Sequence, residues 1–204
     1  MGRLRFEKDR TAFLASRVLL RSSLASRVGC PPASLVFSTH AHGEKPAVVA
    51  PEAARPLHFS LTHTEGLVAC VMTHAGDVGI DAEPVGRPAR LDLLARRVLS
   101  PGEHDAFVAL PDTAKPRRFF EYWCVKEACL KAEGTGLRVT PSSVSVRFTP
   151  RGVHFDDAAR AGRWTVRMLE VRPGYVTAVV LPAGADAAGA PGLAVERFAM
   201  PATP

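Results

Sequence analysis

The 204-residue sequence has little that would staple or anchor it. Its four cysteines, Cys30, Cys70, Cys124 and Cys129, include no pair at the two-residue gap of a zinc knuckle or redox motif. They read as buried thiols of a reducing compartment. No uninterrupted apolar run is long enough to span a bilayer. The first ten residues are charged throughout and lack the apolar core of a secretory signal. A cytoplasmic chain without membrane contact is therefore expected. Also missing are a glycine-rich, lysine-terminated phosphate loop and a serine nucleophile elbow, which removes two common routes to phosphate binding and acyl transfer.

The chain carries a formal charge of +6, which favours a polyanionic partner: nucleic acid, a phosphorylated cofactor or an acidic protein. Nothing beyond that charge recommends nucleic acid. There is no finger spacing and no run of Lys and Arg interleaved with aromatics.

Periodicity supplies the elements. Residues 9–28 carry Phe13, Leu14, Val18, Leu19, Leu20 and Leu24 at helical spacing, with arginines between them, and Gly29-Cys30-Pro31-Pro32 ends the helix. A short strand is expected at 34–37, then a loop through an Ala/Pro-rich stretch to Pro56. Residues 57–63 and 66–72 read as a hairpin, and 78–83 as a third strand stopped by Pro84.

Two short helices are expected at 91–99 and 102–110. A longer one at 115–133 has Phe119, Phe120, Trp123 and Leu130 as its apolar stripe and Gly134 as its stop. Strand-like runs follow at 144–148, 164–171 and 175–181. Helix then strands, twice over, predicts an α+β chain of two similar halves, 1–84 and 85–182. The Ala/Gly/Pro-rich remainder, 183–204, reads as a tail in which only 194–198 is expected to be ordered.

Three clusters carry chemistry. In Gly79-Ile80-Asp81-Ala82-Glu83 the twofold period of a strand puts Asp81 and Glu83 on one face, half of an oxygen site for a hard cation such as magnesium. Taken alone, such a pair is more often a solvated strand edge. In Trp123-Cys124-Val125-Lys126-Glu127-Ala128-Cys129-Leu130-Lys131 the spacing sets Glu127 and Lys131 one helical turn apart. An ordinary surface ion pair, worth about 0.3–0.5 kcal/mol, accounts for those two but not for adjacent Lys126 and the bulky Trp123. In Phe59-Ser60-Leu61-Thr62-His63-Thr64 a histidine flanked by hydroxyls sits at a strand-to-turn transition, a set that suits phosphate oxygens, although a turn histidine is commonly structural.

In order along the chain, these three clusters followed by Gly134-Thr135-Gly136-Leu137 resemble the 4'-phosphopantetheinyl transferase family in its monomeric, surfactin-synthetase-activating type. The resemblance runs from about residue 9 to residue 180, and the helix motif ending at Lys131 is its most diagnostic part. It implies two α+β halves related by a pseudo-twofold, with coenzyme A in the cleft between them.

It also implies transfer of the phosphopantetheine arm to a serine of an apo acyl or peptidyl carrier protein. Asp81, Glu83 and Glu127 would hold magnesium, with Asp81 also close to the coenzyme. Lys131 would contact the phosphates, and Glu127 would take the serine proton. His63, Thr62 and Thr64 would bind the nucleotide phosphates, and Lys45, in Gly43-Glu44-Lys45-Pro46, matches the family's Gly-Lys-Pro lysine across one inserted residue. Ala12 stands where the family carries a phosphate-gripping arginine, so Arg10 or Arg17 is expected to substitute. The acidic carrier would dock on the basic stretch 10–27 or 90–97. The competing possibility is a non-catalytic coenzyme A-binding module on the same fold.

Overall fold

The computed structural model describes residues 7–38, 45–86 and 90–185, without the side chains of 7–9 and 137. It is an α+β fold in which each of two long helices lies on an antiparallel sheet.

Helix α1 (Glu7–Val28) packs on the hairpin β3 (His58–Thr64) and β4 (Leu67–Thr73). Leu20, Leu24, Leu57 and Phe59 form the first core with Leu35 and Val48. The apolar stripe expected on α1 is correct only in its second half. Leu20 and Leu24 are buried, while Phe13, Leu14 and Val18 are 40–55% exposed because no described element covers that end of the helix.

The strand expected at 34–37 is reduced to two residues. Pro31 and Pro32 start a 3-10 turn, Pro32–Ser34, and β1 is only Val36–Phe37. It pairs with β2 (Val48–Ala50), which lies inside the stretch expected to be loop.

Strand β5 (Gly79–Pro84) follows the hairpin in sequence but does not extend it. It pairs antiparallel with β9 (Tyr175–Pro182), whose other neighbour is β8 (Trp164–Leu169). Between β5 and the rest of this sheet the chain runs through α2 (Leu91–Val98), α3 (Pro101–Val108) and α4 (Lys115–Glu133), the last with the bounds its apolar stripe predicts. Gly134 ends α4 at φ +68°, where a residue with a Cβ is disfavoured, and its N–H caps the Lys131 carbonyl.

A second hairpin, β6 (Val146–Thr149) and β7 (Gly152–Phe155), and the short α5 (Ala158–Arg163), capped by Asp157, complete the fold. Neither β7 nor α5 was expected. Phe107, Phe119, Phe120, Val125 and Trp164 dominate the larger core, each large side chain contributing about 1.5–3 kcal/mol by burial. Residues 194–198 lie outside the described residues. Among the described residues no helix is long and apolar enough to cross a membrane.

Candidate active site

The site lies along the seam between β3 and β5, which belong to different sheets. One edge of β5 is paired with β9. Its other edge faces β3 and is bridged by side chains rather than by a backbone ladder.

From Ser60 onward every second residue of β3 supplies a hydroxyl. Ser60 Oγ accepts from Ile80 N at 3.2 Å, Thr62 Oγ1 donates to Asp81 Oδ1 at 3.1 Å, and Thr64 Oγ1 donates to Glu83 Oε2 at 2.9 Å. Two lysines cap carbonyls on the same edge. Lys131 Nζ donates to Ile80 O at 2.9 Å and Lys45 Nζ to Val78 O at 2.8 Å.

Helix α4 crosses the face of β5 that carries Gly79, Asp81 and Glu83. The approach is so close that a Cβ on Gly79 would lie 1.8 Å from the Ala128 carbonyl oxygen. Only glycine permits it. This contact brings the two carboxylates of β5 under Glu127 and Lys131. Lys131 Nζ sits 2.7 Å from Asp81 Oδ1, so the lysine pairs across the elements rather than with Glu127 along its own helix.

Burial raises the pKa of half-buried Glu127, and the Asp81 charge adds to the rise. Lys131 opposes it and Glu83 reinforces it. Cys124, fully buried beneath, is raised well above the usual thiol range by burial and then by Asp81 and Glu83. The Asp81 and Glu83 charges both act on Glu127, so both carboxylates of β5 lie within electrostatic reach of it.

The donors suit a hard cation. They are carboxylate oxygens only, they repel one another, and Asp81 Oδ2 is buried with no hydrogen-bond partner. Among the described residues no three Asp, Glu, His or Cys side chains are already drawn into a metal cage. The Lys131 ammonium instead supplies the positive charge at Asp81.

Asp81, Glu83, Glu127, Lys131, Thr62 and Thr64 are therefore gathered at one place. Thr62 and Thr64 donate to carboxylates there rather than facing a separate phosphate pocket. His63 lies on the opposite face of β3 and is exposed. Lys45 sits at the start of β5, where its ammonium also reaches Asp77 Oδ1 at 3.4 Å. Burial lowers its pKa, and Asp77 opposes that. Arg10 is exposed on the first turns of α1.

Lys126 shares the helix motif but not the site. It is fully buried, 2.6 Å from Glu103 Oε2, and it donates to the carbonyls of Pro141 and Val144. Glu103 is held by Ser100 N and Val146 N. The Ser100-Pro101-Gly102-Glu103 capping box was the sequence signal for this anchor.

Residues 77–180 match the family model of the 4'-phosphopantetheinyl transferase superfamily. The chain belongs to that superfamily. Among curated relatives, 4'-phosphopantetheinyl transferase HetI of Nostoc sp. is 34% identical over 149 residues, covering 73% of this chain and 62% of that protein. 4'-Phosphopantetheinyl transferase Sfp of Bacillus subtilis is 29% identical over 174 residues, covering 85% and 75%. The chain thus spans a little under two thirds of HetI's length. A crystal structure of a holo-(acyl-carrier-protein) synthase from Bacillus anthracis in complex with CoA (3',5'-ADP) aligns with 52% of this chain and 94% of its own, at 22% identity and a TM-score of 0.45. The matched span of the superfamily model includes Asp81, Glu83, Glu127 and Lys131 but not β3.

Proposed function

We propose that this superfamily member transfers the 4'-phosphopantetheine group of coenzyme A to a serine of an apo carrier protein, acyl or peptidyl, releasing 3',5'-ADP. The observation that carries the reading is the convergence of Asp81 and Glu83 from β5 with Glu127 and Lys131 from α4 across the Gly79–Ala128 contact. In this reading the halves 1–84 and 85–182 supply opposite walls of the site.

Asp81, Glu83 and Glu127 would hold magnesium. Bound there, the ion would polarise the coenzyme's pyrophosphate oxygens and offset the charge of the carboxylates. Lys131, already at the site and about one third exposed, can turn from Asp81 to the phosphates and balance charge on the departing 3',5'-ADP. The serine oxygen bonds to the phosphorus that bears the pantetheine arm as the P–O bond to 3',5'-ADP breaks. Glu127 takes the serine proton, directly or through water.

Lys45, whose ammonium reaches the Val78 carbonyl at one end of β5, would meet the coenzyme's nucleotide phosphates, with Arg10 and His63 as outer contacts. The carrier would dock on α2, where Arg90, Arg96, Arg97 and Leu93 are exposed. The protein acts as a cytoplasmic monomer in this scheme.

The test is mass spectrometry of an apo carrier incubated with the protein, coenzyme A and magnesium. A pantetheine adduct is expected from the wild type, and none after chelation with EDTA or with Glu127→Ala. Coenzyme A binding without transfer to any of a panel of acyl and peptidyl carriers would favour the non-catalytic module instead.

A further inference from the structure

The turn between β8 and β9 makes three contacts that the site described above does not use. Its Gly174 carbonyl accepts from Val85 N at 2.9 Å, just past the end of β5. Tyr175 Oη donates to Glu65 O at 2.7 Å, and Arg172 Nη1 donates to Gly66 O, both at the tip of the β3–β4 hairpin. The Arg172 guanidinium also lies 5.3 Å from the centre of the Tyr175 ring, so each side chain holds the other in place.

The tip is shaped to be held. Gly66 adopts φ +72°, and a Cβ there would lie 2.9 Å from Tyr175 Oη and 3.4 Å from Arg172 Nη1. One turn of the second half therefore grips both banks of the seam: the end of β5 on one side and the end of β3 on the other.

What lies between those grips is the Thr64–Glu83 hydrogen bond. Thr64 immediately precedes Glu65, and Glu83 is opposite Val176, the neighbour of Tyr175. With no backbone ladder between β3 and β5, the spacing at this end of the seam rests on a few side-chain bonds. The clasp is the contact that spans it from outside.

We infer that Tyr175 and Arg172 are positioning residues: they clamp the hairpin tip to the β5–β9 sheet so that Thr64 stays on Glu83 and the Glu83 carboxylate keeps its aim into the site. This rests on the coenzyme-binding role proposed above. Both grips end on backbone carbonyls at an exposed turn, so losing them costs the core nothing. The seam then opens more often, and coenzyme A binds only the fraction that is closed. Saturating coenzyme restores that fraction, so KM rises while kcat is nearly preserved.

The experiment compares wild type with Tyr175→Phe, Arg172→Gln and the double variant. Tyr175→Phe keeps the ring and removes only the hydroxyl, so it folds. Hydrogen–deuterium exchange without ligand is expected to quicken by about tenfold in peptides spanning 61–68 and 80–85, while α4 peptides stay protected. In carrier modification with magnesium, KM for coenzyme A is expected to rise about five- to tenfold with kcat within about twofold. The double variant should exceed neither single by much, because the two side chains act as one clasp.

Unchanged exchange at the hairpin overturns the clasp. Quickened exchange with an unchanged KM makes it a folding contact and overturns its positioning role, as does a fall in kcat with KM unchanged. A wild type that transfers nothing defeats the transferase reading. In that case the exchange arm and calorimetric binding of coenzyme A still decide the clasp.

Discussion

Replacing Gly79 with alanine adds one methyl group at the point where β5 and α4 touch. That methyl would stand 1.8 Å from the Ala128 carbonyl oxygen, 2.8 Å from the Ala128 carbonyl carbon and 2.8 Å from Ala132 N. All three are backbone atoms, so no rotamer change relieves the clash. Ordinary contact begins near 3.4 Å, and the strand and helix must part by about 1.6 Å. Overpacking usually costs about 1–3 kcal/mol, and a clash against helix backbone belongs at or above the top of that range. For a chain of this size 3 kcal/mol corresponds to a fall in Tm of roughly 6–12 °C.

The catalytic effect should exceed the stability effect. Asp81 and Glu83 ride on the strand, and Glu127 and Lys131 ride on the helix. A displacement of 1 Å or more between groups that must act together costs about 10²-fold in rate. Thermal denaturation by circular dichroism and mass spectrometry of carrier modification at a temperature where the variant is folded measure the two effects separately. A Gly79→Ala protein with wild-type Tm and wild-type turnover would refute the close-approach argument and the site geometry built on it.

Breaking the buried pair is expected to be as damaging to the fold but by another route. Glu103→Ala leaves the Lys126 ammonium buried with carbonyls only, at a cost of about 3–5 kcal/mol read by urea denaturation, whereas a double replacement by Leu and Met should recover much of it. Asp77 supplies a pH-dependent contribution. Burial pushes its pKa up, but the Lys45 charge and hydrogen bonds from His58 and Lys45 outweigh that and hold it below the ordinary 3.8. A carboxylate so depressed stabilises the fold above its unfolded pKa, and the contribution is lost as pH falls through the folded value. Asp77→Asn is therefore expected to lower Tm at neutral pH, with the two Tm curves converging as the pH drops below 3.8.

Much of the framework was legible because its signals were local and long. The bounds of α4 follow from a nineteen-residue stripe with a glycine stop, and the β3–β4 hairpin from two apolar runs flanking Glu65-Gly66. The elements that escaped were short. β2 has three residues, β7 has four and α5 has six, too few for a period to stand out from composition. On α1 the pattern includes the buried Leu20 and Leu24 but could not say where tertiary cover stops, so it runs on through Phe13 and Val18, which are exposed.

In the site, the twofold period that set Asp81 and Glu83 on one face applies equally to β3. It turns Thr62 and Thr64 toward the seam and His63 away from it. Lys126 and Glu127 are adjacent in sequence but about 100° apart around the helix, which separates the anchor from the cluster. The clasp at Tyr175 depends on a residue 110 positions away and left no local trace.

Three hydroxyls stand where a backbone ladder would otherwise have joined β3 to β5. Regular strand pairing is indifferent to side-chain identity and would have welded the two sheets into one continuous surface. A row of Ser and Thr is specific instead, so the joint between the two sheets is written in side chains. Single substitutions there can loosen, shift or tighten it without unravelling either sheet, which makes this line a place where such a chain can be retuned for a new partner while its cores stay fixed.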